Sequence, residues 1–204
     1  MRDGIDKKAI QEAGEILKQG GLVAFPTETV YGLGGNALDE KASEKIYAAK
    51  GRPSDNPLIV HIAEFEALEK IAARIPKEAR MLADRFWPGP LTMIFRKTDQ
   101  VPLETTGGLN TVAVRMPDHP VVLALIRAAG GYVAAPSANL SGRPSPTCAA
   151  HVQEDLDGKI EMILDGGAVG IGLESTIIDL SEDTPTILRP GYISQKMLEE
   201  VIGS

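Results

Sequence analysis

Segments of helical period and short apolar runs alternate along the first two-thirds of this 204-residue chain, nearly every one closed by glycine or proline, and that alternation restricts the fold most. From Asp6 to Gln19 the residues Ala9, Ile10, Ala13, Ile16 and Leu17 recur at helical spacing, and Gly20-Gly21 supplies the stop. Leu22–Phe25 then reads as a buried strand. Asp39 is placed to cap a second helix that reaches Lys50, with Gly51 ending it and Pro53 blocking its return. Pro57–Ala63 has strand character. Two helical stretches between Glu64 and Phe86 are broken at Ile75-Pro76 and closed by Trp87-Pro88-Gly89-Pro90. Strands are expected at Leu91–Phe95 and Thr111–Met116, a helix at Pro120–Ala129 and a strand at Tyr132–Ala135. Beyond the loop Pro136–Pro146 come a short helix, strands near Ile160, Ile177 and Ile187, and a last helix at Ser194–Val201. Alternation early and strands clustered late predict an α/β fold with a mixed sheet flanked by helices, not a purely parallel one.

The length suits one domain, residues 1–204. No stretch approaches the roughly 18 uninterrupted apolar residues of a membrane span, and the charged segment Met1–Lys8 has no apolar signal core after it. These features predict a cytoplasmic protein without a membrane partner. The one cysteine, Cys148, has no second thiol for a disulfide or a zinc site, and nothing nearby suggests a base that would make it a nucleophile. A net charge of −7 argues against a protein that coats nucleic acid. Lys50, Arg52, Arg115, Arg143 and Arg189 nevertheless lie in Gly, Pro and Ser-rich stretches, while the acids crowd the helical segments. That placement suits a small anionic ligand held by loops.

Gly32-Leu33-Gly34-Gly35-Asn36-Ala37 formally fits a dinucleotide fingerprint, but Pro26-Thr27-Glu28-Thr29 separates it from the strand and no ribose-binding acid follows. It is expected to be a glycine loop that lets the backbone turn closely beneath a ligand. The G-x-x-x-x-G-K-[ST] loop is missing, so a nucleotide would need separate cations and hydroxyls. Lys50-Gly51-Arg52 offers two long cations that could reach one phosphate chain, or that merely complement the helix dipole. Ser137 and Asn139 follow a strand on a loop at its carboxyl end, either a ligand position or a turn with satisfied side chains. His61 alternates with apolar neighbours, as a hydrogen-bonded core histidine does. With His119 and His151 in unrelated contexts it suggests no metal cluster.

Taken in order, several stretches resemble the YrdC-like family of threonylcarbamoyl-AMP synthases. These are Phe25-Pro26-Thr27-Glu28-Thr29-Val30-Tyr31-Gly32-Leu33, Lys50-Gly51-Arg52-Pro53, Pro88-Gly89-Pro90-Leu91-Thr92, Val114-Arg115-Met116-Pro117, Ser137-Ala138-Asn139, Glu174-Ser175-Thr176 and Arg189-Pro190-Gly191. The resemblance implies a twisted mixed sheet with a concave, basic ligand-binding face. It places Thr29, His61, Arg115, Ser175 and the backbone near Ala135 around L-threonine, with Arg115 forking onto its carboxylate. Arg52, Asn56, Thr111, Ser137, Asn139, Ser145 and Arg189 would hold ATP, and Lys50 would sit over the reacting groups. Lys50 and Arg52 are thus the expected catalytic residues.

The implied activity joins L-threonine, bicarbonate and ATP into threonylcarbamoyl-AMP and pyrophosphate for tRNA modification. It implies magnesium carried by the ATP phosphates, no protein metal site and no organic cofactor. Protein partners from tRNA modification and weak RNA binding are left open by the resemblance. A longer branch of the family adds a linker and a second domain after the Arg-Pro-Gly stretch, so this sequence resembles the short form. Two alternatives use the same fold: a carbamoyl-transfer domain and an RNA-binding module. All of these expectations require Lys50, Arg52, Ser137, Asn139 and Arg189 to converge on one hollow.

Overall fold

In the computed structural model, which describes residues Met1–Ser204, ten strands form one mixed sheet with helices on both faces. The strands are β1 (Arg2–Asp3), β2 (Val23–Pro26), β3 (Tyr31–Asn36), β4 (Ile59–His61), β5 (Leu91–Arg96), β6 (Thr111–Arg115), β7 (Val133–Ala134), β8 (Met162–Asp165), β9 (Thr176–Asp179) and β10 (Thr186–Arg189). Across the sheet they run β1-β8-β2-β3-β7-β4-β6-β5-β9-β10. The pairs β1–β8, β8–β2, β4–β6 and β5–β9 are parallel and the rest antiparallel. The helices are α1 (Lys7–Lys18), α2 (Glu40–Lys50), α3 (Leu68–Ile71), α4 (Lys77–Phe86), α5 (Pro120–Ala128), α6 (Ala149–Leu156) and α7 (Gln195–Ile202). Asp6 and Asp39 cap α1 and α2 by accepting hydrogen bonds from Lys8 N and Lys41 N, as their position before a helical run requires. No helix is long and apolar enough to cross a membrane.

Side chains alternate across a strand, and here the alternation divides two cores. Leu22 and Ala24 join Ile163 and Ala134 in the larger core on one face. Val23 and Phe25 join Leu164 and Val133 on the other, beneath Ala9, Ala13 and Leu17 of α1 and Val122, Leu125 and Ile126 of α5. Those two helices cover only the β8-β2-β3-β7 end of their face. Beyond β7 the same face continues through paired positions: Val133 opposite His61, His61 opposite Arg115, Arg115 opposite Thr92, Thr92 opposite Ile177, and Ile177 opposite Arg189. A neighbouring row runs Ile59, Ala113, Ile94, Asp179 and Thr186. Half of one sheet face is thus left without a helical layer, and its two rows mix cations, hydroxyls and small apolar groups.

The glycine-rich stretch is corrected here, because Tyr31–Asn36 is an interior strand between β2 and β7 and not a loop. Its glycines make room for neighbours. A Cβ on Gly34 would lie 2.5 Å from Phe25 Cε1 and 2.9 Å from Val133 Cγ1. Sequence reasoning weighted the backbone freedom of glycine and missed this packing need. Gly34→Ala should therefore lower the unfolding free energy by about 1–3 kcal/mol through overpacking. Urea denaturation checks this, and an unchanged midpoint would contradict the tight packing.

Candidate functional site

The uncovered half-face floors a cavity of about 600 Å³. Every residue expected around an amino acid lines it: Thr29, His61, Arg115, Ala135 and Ser175. Of those expected around a nucleotide, Arg52, Asn56, Thr111, Ser137 and Arg189 line it as well. Lys50, Asn139 and Ser145 are not among the lining residues.

Local structure explains how Lys50 and Arg52, two residues apart, take different places. Lys50 ends α2, and Gly51 follows in the left-handed region at φ 62°, so that Arg52 N returns to Tyr47 O at 3.0 Å. Lys50 remains on the inward face of the helix, buried, with its Nζ donating to Ser137 O and its own carbonyl accepting from Ser141 N at 2.9 Å. Lys50 therefore clamps the 137–141 loop from behind instead of sitting over the cavity, which departs from the expected position. Burial draws its ammonium down to about 8, with the Arg52 charge adding to the effect. Past the cap, Arg52 swings to the cavity and donates to Asn56 O and Pro57 O at 3.2 and 2.9 Å. Its guanidinium is also shifted downward, first by burial.

The same loop is held from α6. Asp155 Oδ2 accepts from Leu140 N at 3.0 Å and Oδ1 from Arg143 Nη1 at 2.5 Å. Arg143 is thus committed to an ion pair on the far side of the loop. Asn139 turns its Nδ2 to Leu140 O and Arg143 O at 2.8 and 2.9 Å, while its buried Oδ1 has no partner. Ser137 faces the cavity, and Asn139 is mostly consumed by the turn.

Arg115 lies at the other side. Its Nε donates to Gly89 O at 3.2 Å, its Nη1 to Thr29 Oγ1 at 3.0 Å, and its Nη2 meets Glu28 Oε1. Burial pushes this guanidinium below its ordinary range, and the Arg189 charge adds to that. Thr29 is fixed in turn by Thr27 Oγ1 at 2.9 Å. His61 is buried, with Nδ1 3.1 Å from Ile59 O, and burial lowers it to about 4, so it is neutral at ordinary pH. At the far edge Arg189 donates from Nε to Ser175 O at 3.0 Å and from Nη2 to Ser175 Oγ at 3.2 Å. Ser175 Oγ also meets Thr92 Oγ1 at 2.7 Å, so this hydroxyl joins the Arg115 side to the Arg189 side.

Sequence reasoning assigned no role to the acids of the site. Glu28 pairs with Arg115, Glu174 pairs with Arg189 at 2.5 Å and accepts from Ser145 Oγ at 3.1 Å, and Asp179 lines the cavity. A signal was present, since Glu28 adjoins Thr29 and Glu174 adjoins Ser175, inside the stretches that carry the hydroxyls. The strand parity of Ser175, Ile177 and Asp179 also puts Asp179 on the cavity side.

The Sua5_yciO_yrdC family, described as "Telomere recombination", matches residues 15–191. The threonylcarbamoyl-AMP synthase of Pyrococcus abyssi (strain GE5 / Orsay) is 59% identical over 203 residues, which are 100% of this chain and 60% of that protein. The enzyme of the same name from Bacillus subtilis (strain 168) is 57% identical over 195 residues, 95% of this chain and 56% of that protein. The crystal structure of P. abyssi Sua5 complexed with L-threonine superposes with a TM-score of 0.95 at 59% identity, covering 97% of this chain and 58% of that one. The chain therefore spans about three-fifths of the length of these relatives.

The neutral state of His61 has a measurable consequence. Its folded value of about 4 lies below the ordinary 6.5, so the stabilisation it carries is complete above 6.5 and is lost as the pH falls toward 4. Over that window the urea midpoint of the wild type should fall more steeply than that of His61→Gln, which cannot take up the proton. Parallel curves would contradict the assignment.

Proposed function

Because this chain belongs to the Sua5/YciO/YrdC family, we propose that it forms threonylcarbamoyl-AMP and pyrophosphate from L-threonine, bicarbonate and ATP, for modification of tRNA. One observation carries the reading: residues scattered from Thr29 to Arg189 converge on one cavity, with Arg115 bonded to Thr29, and Arg52 and Arg189 lining the same cavity. Residues 1–204 act in this proposal as one YrdC-like unit.

L-threonine would lie against Arg115, Thr29, His61 and Ser175. The guanidinium is immobilised by Gly89, Thr29 and Glu28 and keeps further N–H groups for a substrate carboxylate. A neutral His61 beside it neither repels an ammonium group nor competes for the carboxylate. The triphosphate would lie toward Arg52, Ser137 and Arg189. Bicarbonate loses hydroxide to give carbon dioxide, threonine's neutral amine forms a C–N bond to it as a C=O π bond opens to a carboxylate, and the proton lost from nitrogen joins the hydroxide as water. The carboxylate so made attacks the α-phosphorus, an O–P bond forms, and the bond to the β-phosphate oxygen breaks to release pyrophosphate. Nothing in this sequence needs a covalent enzyme intermediate. The chain's contribution is to hold two anions in contact and to stabilise charge growing on the phosphate oxygens.

Magnesium fits as a companion of the phosphates. Asp179 brings a carboxylate to the cavity lining that could take one coordination place of an ion held mainly by the phosphates. When bound, the ion would neutralise phosphate charge. Lys50 would act by setting the Ser137 loop from behind, and Arg52 from within the cavity.

Arg52→Ala should lower threonine-dependent pyrophosphate release by about 100-fold or more, the usual scale for losing a charge-stabilising group. Lys50→Ala should lower it comparably while also loosening the 137–141 loop, visible as faster amide exchange at Ser141. Arg115→Lys should chiefly raise the threonine concentration needed, since lysine cannot form the fork. Near-normal turnover by both alanine variants would sink the synthase reading. An RNA-binding module would instead show salt-dependent RNA affinity with no threonine-dependent pyrophosphate at all.

A further inference from the structure

Arg189 and Ser145 are expected to hold the nucleotide, yet both already hold an anion. Glu174 Oε2 lies 2.5 Å from Arg189 Nη1, and its Oε1 accepts from Ser145 Oγ at 3.1 Å. The side chain lines the cavity and is 42% exposed, so water and ligands reach it. It occupies the position in which a phosphate oxygen would meet the same two donors. A fixed carboxylate there would repel a triphosphate; a carboxylate able to leave would exchange with one.

The pair at the opposite side behaves differently. Glu28 is only 15% exposed, and its second oxygen is held by Asp118 N while its backbone carbonyl accepts from Ile171 N at 3.3 Å. Glu28 is wedged into the fold as the permanent counter-charge of buried Arg115. Glu174 has no such backing, because its carboxylate contacts are Arg189 and Ser145.

We propose that Glu174 is a resident anion of the phosphate half: it keeps Arg189 and Ser145 in place before the nucleotide binds, yields them to the triphosphate, and returns as pyrophosphate leaves. This rests on the ATP reading of the cavity. The resident carboxylate makes phosphate binding an exchange of one anion for another, so affinity for ATP and for pyrophosphate is held below what Arg52 and Arg189 alone would give. The benefit falls on release, since pyrophosphate would otherwise be retained by both guanidiniums.

The test is calorimetric titration of the full chain with sodium pyrophosphate and, separately, with ATP, each with and without magnesium and in the absence of threonine. Wild type is compared with Glu174→Gln and Glu174→Ala. Both variants should bind pyrophosphate and ATP about tenfold more tightly, the scale expected for removing one competing charge-assisted contact, and pyrophosphate should become a correspondingly stronger product inhibitor. The threonine KM should not move. Equal or weaker phosphate binding by both variants would overturn the proposal. A loss confined to magnesium-containing buffer would overturn it too, by making Glu174 a metal ligand. Wild type that binds neither ATP nor pyrophosphate would remove the ATP reading itself, whereas wild type that binds both with unchanged variants removes only the role of Glu174.

Discussion

The organising constraint of this molecule is a sheet face that its helices only half cover. Packing α1 and α5 over β8, β2, β3 and β7 gives one end of the face a dry core of Ala, Val, Leu and Ile side chains. The register then carries the same face onward through His61, Arg115, Thr92, Ile177 and Arg189, where no helix follows. Strand pairing fixes which residues share a row, and a one-residue slip would send every one of them to the buried side. Position in the cavity is therefore a property of the sheet, and the loops carrying Arg52 and Ser137 close it from above.

Charge within the cavity is organised in pairs. Three arginines line it, and each is tied down: Arg115 by Glu28, Arg189 by Glu174, and Arg52 by the Asn56 and Pro57 carbonyls. Bare guanidiniums at this depth would repel one another and lose hydration without return. Counter-charges and carbonyls stabilise the cluster and fix the direction in which each fork points. A protein of net charge −7 in this way gathers three arginines around one cavity.

How far the letters of the chain reach can be judged residue by residue. Alternation gave the strands bearing His61 and Arg115, and the parity of those strands is what puts both side chains on the open face. Asp39 and Gly51 marked the limits of α2 correctly because caps are local chemistry. The strand Tyr31–Asn36 escaped notice because glycine usually signals a turn, and only Phe25 and Val133, distant or unrevealing in sequence, explain why side chains are excluded there. Lys50 and Arg52 looked equivalent in the text, but the reversal of handedness at Gly51 sends them to opposite sides of one loop wall. The acids were invisible for a related reason, since a carboxylate acquires its role from the arginine it meets, and Glu174 meets one fifteen residues away.

Lys50 occupies the final residue of α2, and its two attachments to the 137–141 loop depend on the rotational phase of that helix. Each residue added to or removed from α2 turns its end by about 100°. An insertion that a surface helix would absorb unnoticed would here carry the ammonium out of its burrow and leave the Ser137 carbonyl facing nothing. The number of residues between Asp39 and Gly51 is thus under tighter restraint than the identity of most residues along that stretch.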